Sequence, residues 1–308
     1  MALEIEPIKP KVRPRLLIET AWEVCNQVGG IYTVIRSKVP AMVEKWGDDY
    51  FLLGPYFPDK ALAEFEPIED LDDSVLGKTV RKMREMGYEV QYGYWLVTGK
   101  PRIVLFNFHT IHDQLDAIKF ELWNRHQLST LNVEDLVNQV ILFGECIRVF
   151  LSELSRDFGA KYDITAHFHE WMAATALPDL AREATRLGTV FTTHATMLGR
   201  YMAPNVPNFY EHLPSFNWRE QAKHFGIETQ ATIEYLAAQN CHVMTTVSDV
   251  TAKECEFLLG RKCDLTLPNG LNVTRFTATH EFQNLHVQYK EKIHQFVMGH
   301  FFQSYSFD

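Results

Sequence analysis

The stretch Leu16–Ile35, LLIETAWEVCNQVGGIYTVI, decides the fold. Its start, Leu16–Glu19, is a short apolar run with the length of a strand buried on both faces. Two adjacent glycines, Gly29 and Gly30, then feed Ile31-Tyr32-Thr33-Val34, which reads as a helix start. Glycines at a helix N-terminus let a ligand approach the backbone, and the free N–H groups there suit a phosphate. A tight turn that simply needs glycine is the competing reading of the same residues.

Outward from this unit the alternation repeats. Tyr50–Leu53, Ile103–Phe106, Ile164–Phe168, Val190–Thr193 and Val243–Val247 are further runs of strand length. Helical periodicity lies between them. It is clearest from Val133 to Leu154, where Leu136, Val137, Val140, Ile141, Ile147, Phe150, Leu151 and Leu154 fall at three-four spacing. Ala173–Leu187 and Val250–Leu259 read as shorter helices. Glu89–Leu96 reads as a strand with Val90, Tyr92, Tyr94 and Leu96 on one face. Alternating strands and helices with right-handed crossovers predict an α/β fold: a Rossmann-like, doubly wound, mostly parallel sheet. Prolines 204, 207 and 214 predict a long irregular connection over Leu198–Asn217, and helical pattern returns over Glu281–Phe302.

Composition narrows the class. With 30 basic and 39 acidic residues the net charge is −9, without the basic footprint of a nucleic-acid binder. The five cysteines are odd in number and scattered, with no C-x-x-C pair, which fits a reducing cytoplasm. The first fifteen residues lack a signal-peptide core, and no run of ~18 apolar residues suggests a membrane span. Lys9, Lys11, Arg13 and Arg15 among prolines read as a solvated extended arm over residues 1–14. The expectation is a cytoplasmic protein with neither nucleic acid nor membrane as partner.

Two motifs fail on inspection. Gly77-Lys78-Thr79 resembles the end of a P-loop, but Asp72 stands where its first glycine is required. His167 and His169 share a strand face beside Glu170, yet spacing places no third ligand, so no metal is expected.

In a parallel sheet, ligands collect at the carboxyl ends of the strands. Four clusters fall at such ends: Trp22–Gly30, then His169-Glu170-Trp171, then His194 to Tyr201, and Pro268-Asn269-Gly270 after Cys263–Leu267. Together they suit a phosphorylated sugar. N–H groups and Arg200 would meet anionic oxygens, while Glu170, His194 and Asn269 would meet hydroxyls.

Longer motifs carry a resemblance. W-E-V-x-N-x-V-G-G-I-Y-T-V-I at 22–35, W-G-D-x-Y-F-L-x-G-P-Y-F at 46–57 and F-H-E-W at 168–171 are similar to the eukaryotic-type glycogen synthases. So are F-T-T-H-A-T-x-L-G-R-Y at 191–201, T-T-V-S at 245–248, P-N-G-L-N-V at 268–273 and H-E-F-Q-N-L-H at 280–286. The resemblance implies a GT-B fold, two Rossmann-like domains across a cleft. This chain would be the N-terminal one, a Rossmann-like domain over 15–279 and a helical interdomain segment over 280–308, with the second domain absent.

The implied reaction moves glucose from UDP-glucose to the 4-hydroxyl at the non-reducing end of glycogen or a maltooligosaccharide. Configuration is retained and neither metal nor cofactor is needed. By position, Gly29 and Gly30 would lie beside the donor diphosphate and Arg200 would approach its phosphates. Glu170 and Asn269 would lie near the donor sugar. His194 would be the catalytic residue, its carbonyl and ring stabilising charge as the glycosidic bond breaks.

Departures accompany the resemblance. Gln27 stands where the family carries Lys or Arg, which reduces the charge offered to phosphate. Glu228–Tyr235 keeps Ile233 and Glu234 but loses the basic and aromatic residues around them, marking a distant member. The isolated chain is expected to be inactive, and the full-length protein to have scope for homo-oligomerisation. Two alternatives stay open: a non-catalytic glycan- or nucleotide-binding module, and an ADP-glucose-dependent synthase. The latter typically shows K-T-G-G-L where this chain has Q-V-G-G-I.

Overall fold

A computed structural model of the chain describes residues 13–270 and 282–301. The chain divides into a unit ending at Asn269 and a second running from Gly270. In the second unit the described element is one helix, Phe282–Phe301. The expected helical pattern over Glu281–Phe302 is thus largely realised. The tripeptide Asn272-Val273-Thr274, a chance match to a glycosylation acceptor, lies outside the described residues.

The first unit is built on nine strands: β1 (Arg15–Ala21), β2 (Tyr50–Pro55), β3 (Phe65–Pro67), β4 (Val90–Trp95), β5 (Arg102–Phe106), β6 (Asp163–His169), β7 (Leu187–Thr193), β8 (Val243–Thr246) and β9 (Leu265–Thr266). Their order is β3-β4-β5-β2-β1-β6-β7-β8-β9. β4 pairs antiparallel with both neighbours and every other pairing is parallel. The chain winds one way from β1 through β2 and the other way through β6. The order therefore reverses at β1, and the crevice beyond β1 and β6 is where such sheets take ligands. The α/β, doubly wound, mostly parallel expectation holds.

Alternation along the strands builds two cores. Ile18, Phe51, Leu53, Phe106 and Phe168 pack on one face against the helix Asp135–Phe158. Ala21, Tyr50, Leu52, Ile103 and Leu105 pack on the other, with Tyr32, Ile35 and Val39 of the helix Gly30–Trp46. The helix Asp135–Phe158 buries Val137, Val140, Ile141, Ile147, Phe150, Leu151 and Leu154 of the stripe its spacing predicts, while Leu136, in its first turn, is exposed.

Three readings need correction. The helix expected over Ala173–Leu187 is only Leu177–Arg182, because Ala184 turns to φ +48 and Leu187 already begins β7. The stretch Leu198–Asn217 is not irregular. It holds the helix Met197–Asn205 and single turns at Phe209–His212 and Leu213–Ser215. Pro207 lies between helices and Pro214 in a first turn whose N–H groups lack partners anyway, while Pro204 falls inside the last turn of its helix, which ends one residue later. In β4, Val90 and Tyr92 are buried as expected, but Leu96 lies beyond the strand end and is exposed. Strand β3 and the helices Val75–Glu85 and Leu115–His126 are further elements that the sequence reading did not name.

The loop after β1 lies directly on β2. A Cβ at Gly54 would come within 2.7 Å of the Val24 Cβ and 2.8 Å of the Val24 carbonyl oxygen. Gly54→Ala is expected to destabilise the chain by about 1–3 kcal/mol, as overpacking does. Urea unfolding should show a lower midpoint with an unchanged slope; an unaltered midpoint would disprove this close contact.

Candidate functional site at the carboxyl edge of the sheet

The parallel register brings the expected clusters to one edge. Ala21 pairs with His169, and His169 with Thr192. The residues that follow, Trp22–Gly30, Glu170 and Thr193–Arg200, therefore leave the sheet side by side.

The glycine loop is already occupied. Glu23, buried, accepts from the backbone N–H of Gly29 at 2.7 Å and of Tyr32 at 2.9 Å through the same carboxylate oxygen. It thereby caps the helix Gly30–Trp46 with a negative charge at the positive end of the helix dipole. The Gly29 N–H is therefore not free for a phosphate. Gln27, Gly29 and Gly30 form an exposed rim. From the turn Pro58–Ala61, Lys60 reaches this loop and donates to the Asn26 amide oxygen at 2.7 Å.

Glu170 is the most constrained residue of the edge. Its φ of 63° and ψ of 167° lie in a region that residues other than glycine avoid, at a cost of order 1–3 kcal/mol. Three bonds hold it there. Its N–H donates to the Thr192 carbonyl at 2.9 Å. Its carboxylate accepts from the His194 N–H at 2.8 Å and from Arg200 Nη2 at 3.3 Å. Burial pushes this carboxyl up, against the pull of Arg200.

Two more buried carboxylates hold the same loop from below. Glu234, on the helix Glu228–Asn240, accepts from Thr193 Oγ1 at 2.7 Å and from the Met197 N–H at 2.8 Å. Glu254 accepts from Thr196 Oγ1 at 2.7 Å and from the Tyr210 hydroxyl at 3.0 Å. Thr196 in turn caps the helix Met197–Asn205 by accepting from the Gly199 N–H at 2.9 Å. Only glycine fits at 199, since a Cβ would lie 2.1 Å from Glu254 Oε2.

His194 is half-buried, and burial, with His167, Lys38 and Arg200 near it, pushes its imidazole down to about 4. It is neutral at physiological pH. The exposed Asn269 side chain, near the ring, partly opposes that shift. His194 Nε2 lies 3.2 Å from His169 Nδ1, and His169 Nε2 lies 3.2 Å from Glu19 Oε1.

Glu19 supplies the third ligand-type group that spacing along the chain did not place beside His167 and His169. Candidate ligand atoms of the three lie within 4.8 Å of one another. The donor set nevertheless argues against a cation there. Glu19 is ion-paired with the Lys38 ammonium and accepts from the Tyr50 hydroxyl at 2.5 Å. Burial alone would raise its carboxyl, but Lys38 and the two imidazoles outweigh it and hold Glu19 well below the usual range. Lys38 thus provides the positive charge that a metal would bring.

The structure thus gathers His194, Glu170, Arg200 and Asn269 at one place, with Gly29, Gly30 and Gln27 on the rim of the first loop. Glu23 and His169 belong to the strand-end clusters seen in the sequence, whereas Glu19, Lys38, Glu234 and Glu254 join them only in three dimensions. Several sit on strands or helices that read as core, so nothing local distinguishes them.

Glu234 makes a pH prediction. Burial, and then the nearby Glu170, push its carboxyl up to about 8 from an ordinary 4.5. Because the folded pKa is raised, this group's contribution to stability is full below about pH 4.5 and lost as pH rises through about 8. The loss runs at up to about 1.4 kcal/mol per pH unit. Urea unfolding of Glu234→Gln is expected to show a flatter pH dependence than the parent chain between pH 5 and 8. Parallel curves would sink this assignment.

A family model described as Glycogen synthase matches residues 19–308. The chain is 44% identical over 298 residues to the Glycogen [starch] synthase of Neurospora crassa, an alignment covering 97% of this chain and 42% of that protein. It is 42% identical over 301 residues to isoform 1 of Saccharomyces cerevisiae, covering 95% and 42%. It is 41% identical over 297 residues to the liver enzyme of Homo sapiens, covering 96% and 42%. The chain spans less than half the length of these relatives, and by its sequence it belongs to the glycogen synthase family.

Proposed function

We propose that this chain forms the acceptor-side half of a GT-B glycogen synthase, which transfers glucose from UDP-glucose to the non-reducing end of an α-1,4-glucan with retention. The observation that carries this reading is the His194–Arg200 loop, fixed by Glu170 from a backbone conformation that has to be enforced. Family membership supports it.

The chemistry follows from charge. Breaking the glycosidic bond develops positive character on the sugar and negative character on the departing phosphate. A neutral imidazole and a carbonyl dipole at His194 suit the first, since neither adds a positive charge. The Glu170 carboxylate fixes the His194 backbone, so these dipoles are oriented before substrate arrives. Arg200 suits the second. Of five guanidinium N–H donors, one is given to Glu170 and one to the Ala195 carbonyl, which leaves others for phosphate oxygens. Asn269 at the exposed end is placed for a sugar hydroxyl. Gly30 and Gln27 would border the diphosphate, with Gln27 contributing no charge.

No metal or organic cofactor takes part in this reading. We also place the protein in the cytoplasm: all five cysteines are free, four of them buried, and no helix among the described residues is long and apolar enough to cross a membrane.

The test joins this chain to the remaining portion of the yeast relative and follows incorporation of labelled glucose into glycogen. Incorporation from UDP-glucose, well above that from ADP-glucose and undiminished by EDTA, is expected. The 308-residue chain alone should incorporate none. Transfer-competent folding is checked with the unmodified yeast enzyme assayed in parallel. In the joined protein, His194→Ala should lower kcat by about 10²-fold or more, the scale seen when a preorganised electrostatic group is lost. An active yeast control beside a joined protein that only binds maltooligosaccharide would favour the non-catalytic module. Loss of transfer in EDTA would refute the metal-free reading.

A further inference from the structure

The His194 ring has a polar atom that its surroundings do not explain. Nδ1 is buried and has no hydrogen-bond partner in the structure, while Nε2 faces another histidine. A buried polar atom without a partner costs roughly 1–3 kcal/mol, so its orientation calls for a cause.

The cause can be traced inward from the edge. Glu19 is fully buried in β1, and in register it stands opposite His167, with His169 two residues further along the same face of β6. Ala21 stands opposite His169. An ionised carboxylate accepts only. Its oxygen Oε1, 3.2 Å from His169 Nε2, therefore requires a proton on that nitrogen. His169 is 2% exposed, and burial, with His167 and Lys38 close by, keeps the ring neutral. Its Nδ1 is then a bare lone pair. His194 Nε2, 3.2 Å away, must donate to it, and the neutral His194 ring is left with a bare Nδ1.

We infer that Glu19 and His169 are positioning residues for His194: the chain Glu19–His169–His194 locks His194 as its Nε2–H tautomer and leaves Nδ1 as a dedicated acceptor. Lys38 and Tyr50, by holding Glu19, keep the chain's inner end ionised and in place. A cationic His169 would reverse everything outward of it. Its Nδ1–H would donate, and His194 would carry its proton on Nδ1, offering a donor instead. The chain thus decides whether the edge presents a hydrogen-bond acceptor or a donor. Nδ1 is covered in the structure, so under the reading proposed above a hydroxyl of the reacting sugar would be accepted there once that cover is displaced. The lock itself does not depend on that reading.

Proton–nitrogen correlation spectra of the ¹⁵N-histidine-labelled 308-residue chain at pH 7 test the lock directly, with His194→Asn used to assign the signals. Both His169 and His194 are expected as single Nε2–H tautomers. In His169→Phe, which removes the acceptor but keeps the bulk, the His194 pattern should lose its single-tautomer signature, its two nitrogens moving toward averaged shifts. His169→Gln can donate to Glu19 and accept from His194, and should restore the signature. A His194 ring found as the Nδ1–H tautomer, or one unchanged in a folded His169→Phe, would overturn the inference. If His169→Phe does not fold, the parent and His169→Gln spectra still decide. A lock that holds beside a joined protein without transferase activity would leave the inference standing and remove only the proposed reaction.

Discussion

The carboxylate of Glu170 is the interaction on which the edge depends. It lies at the end of β6, yet it binds the backbone N–H of His194, after β7, and the guanidinium of Arg200, in the helix that follows. To do so the residue adopts φ +63, which the chain resists. The strain is held by a parallel sheet on one side and by three hydrogen bonds on the other. Without Glu170, the loop from His194 to Arg200 would keep its lower supports, Glu234 and Glu254, but its tie to β6 would be reduced to the His194–His169 contact.

Buried carboxylates do most of the organising here, and their surroundings put them in different states. Glu19 and Glu234 are both almost wholly inaccessible to solvent. Glu19 has an ammonium, a phenol and two imidazoles around it and is held ionised. Glu234 has a hydroxyl and one amide N–H for partners and Glu170 as a neighbour, so it retains its proton to about 8. One group therefore serves as a fixed negative charge and the other as a neutral bracket. Burial is similar in the two, and the count and charge of the partners make the difference.

Much of the fold was legible because strands buried on two faces must be apolar throughout, as in Phe51–Leu53 and Val104–Phe106. The site was legible at strand ends, where Glu170, His194 and Arg200 break that apolarity. Glu19 was invisible for a related reason: it sits inside an apolar strand, and its partners are far away in sequence, His169 at a separation of 150 residues. Only the β1–β6 register brings them together, and register is a tertiary fact. The stretch Leu198–Asn217 misled for a local reason. Its prolines suggested broken structure, but a cap at Thr196 and the contact of Gly199 with Glu254 favour a helix that ends close to Pro204.

Charge balance sets what this edge can hold. Lys38 is spent on Glu19, and Arg200 is shared with Glu170. The positive end of the helix Gly30–Trp46 is met by Glu23, and Lys60 is tied to Asn26. Gln27, exposed on the rim, adds no charge. A diphosphate would thus find hydrogen-bond donors here but little uncompensated positive charge. A neutral sugar is different. It needs oriented acceptors and donors without net charge, which is what a neutral His194, an amide at Asn269 and a clamped backbone provide. By its electrostatics this edge is better fitted to a neutral, hydroxyl-bearing ligand than to a diphosphate.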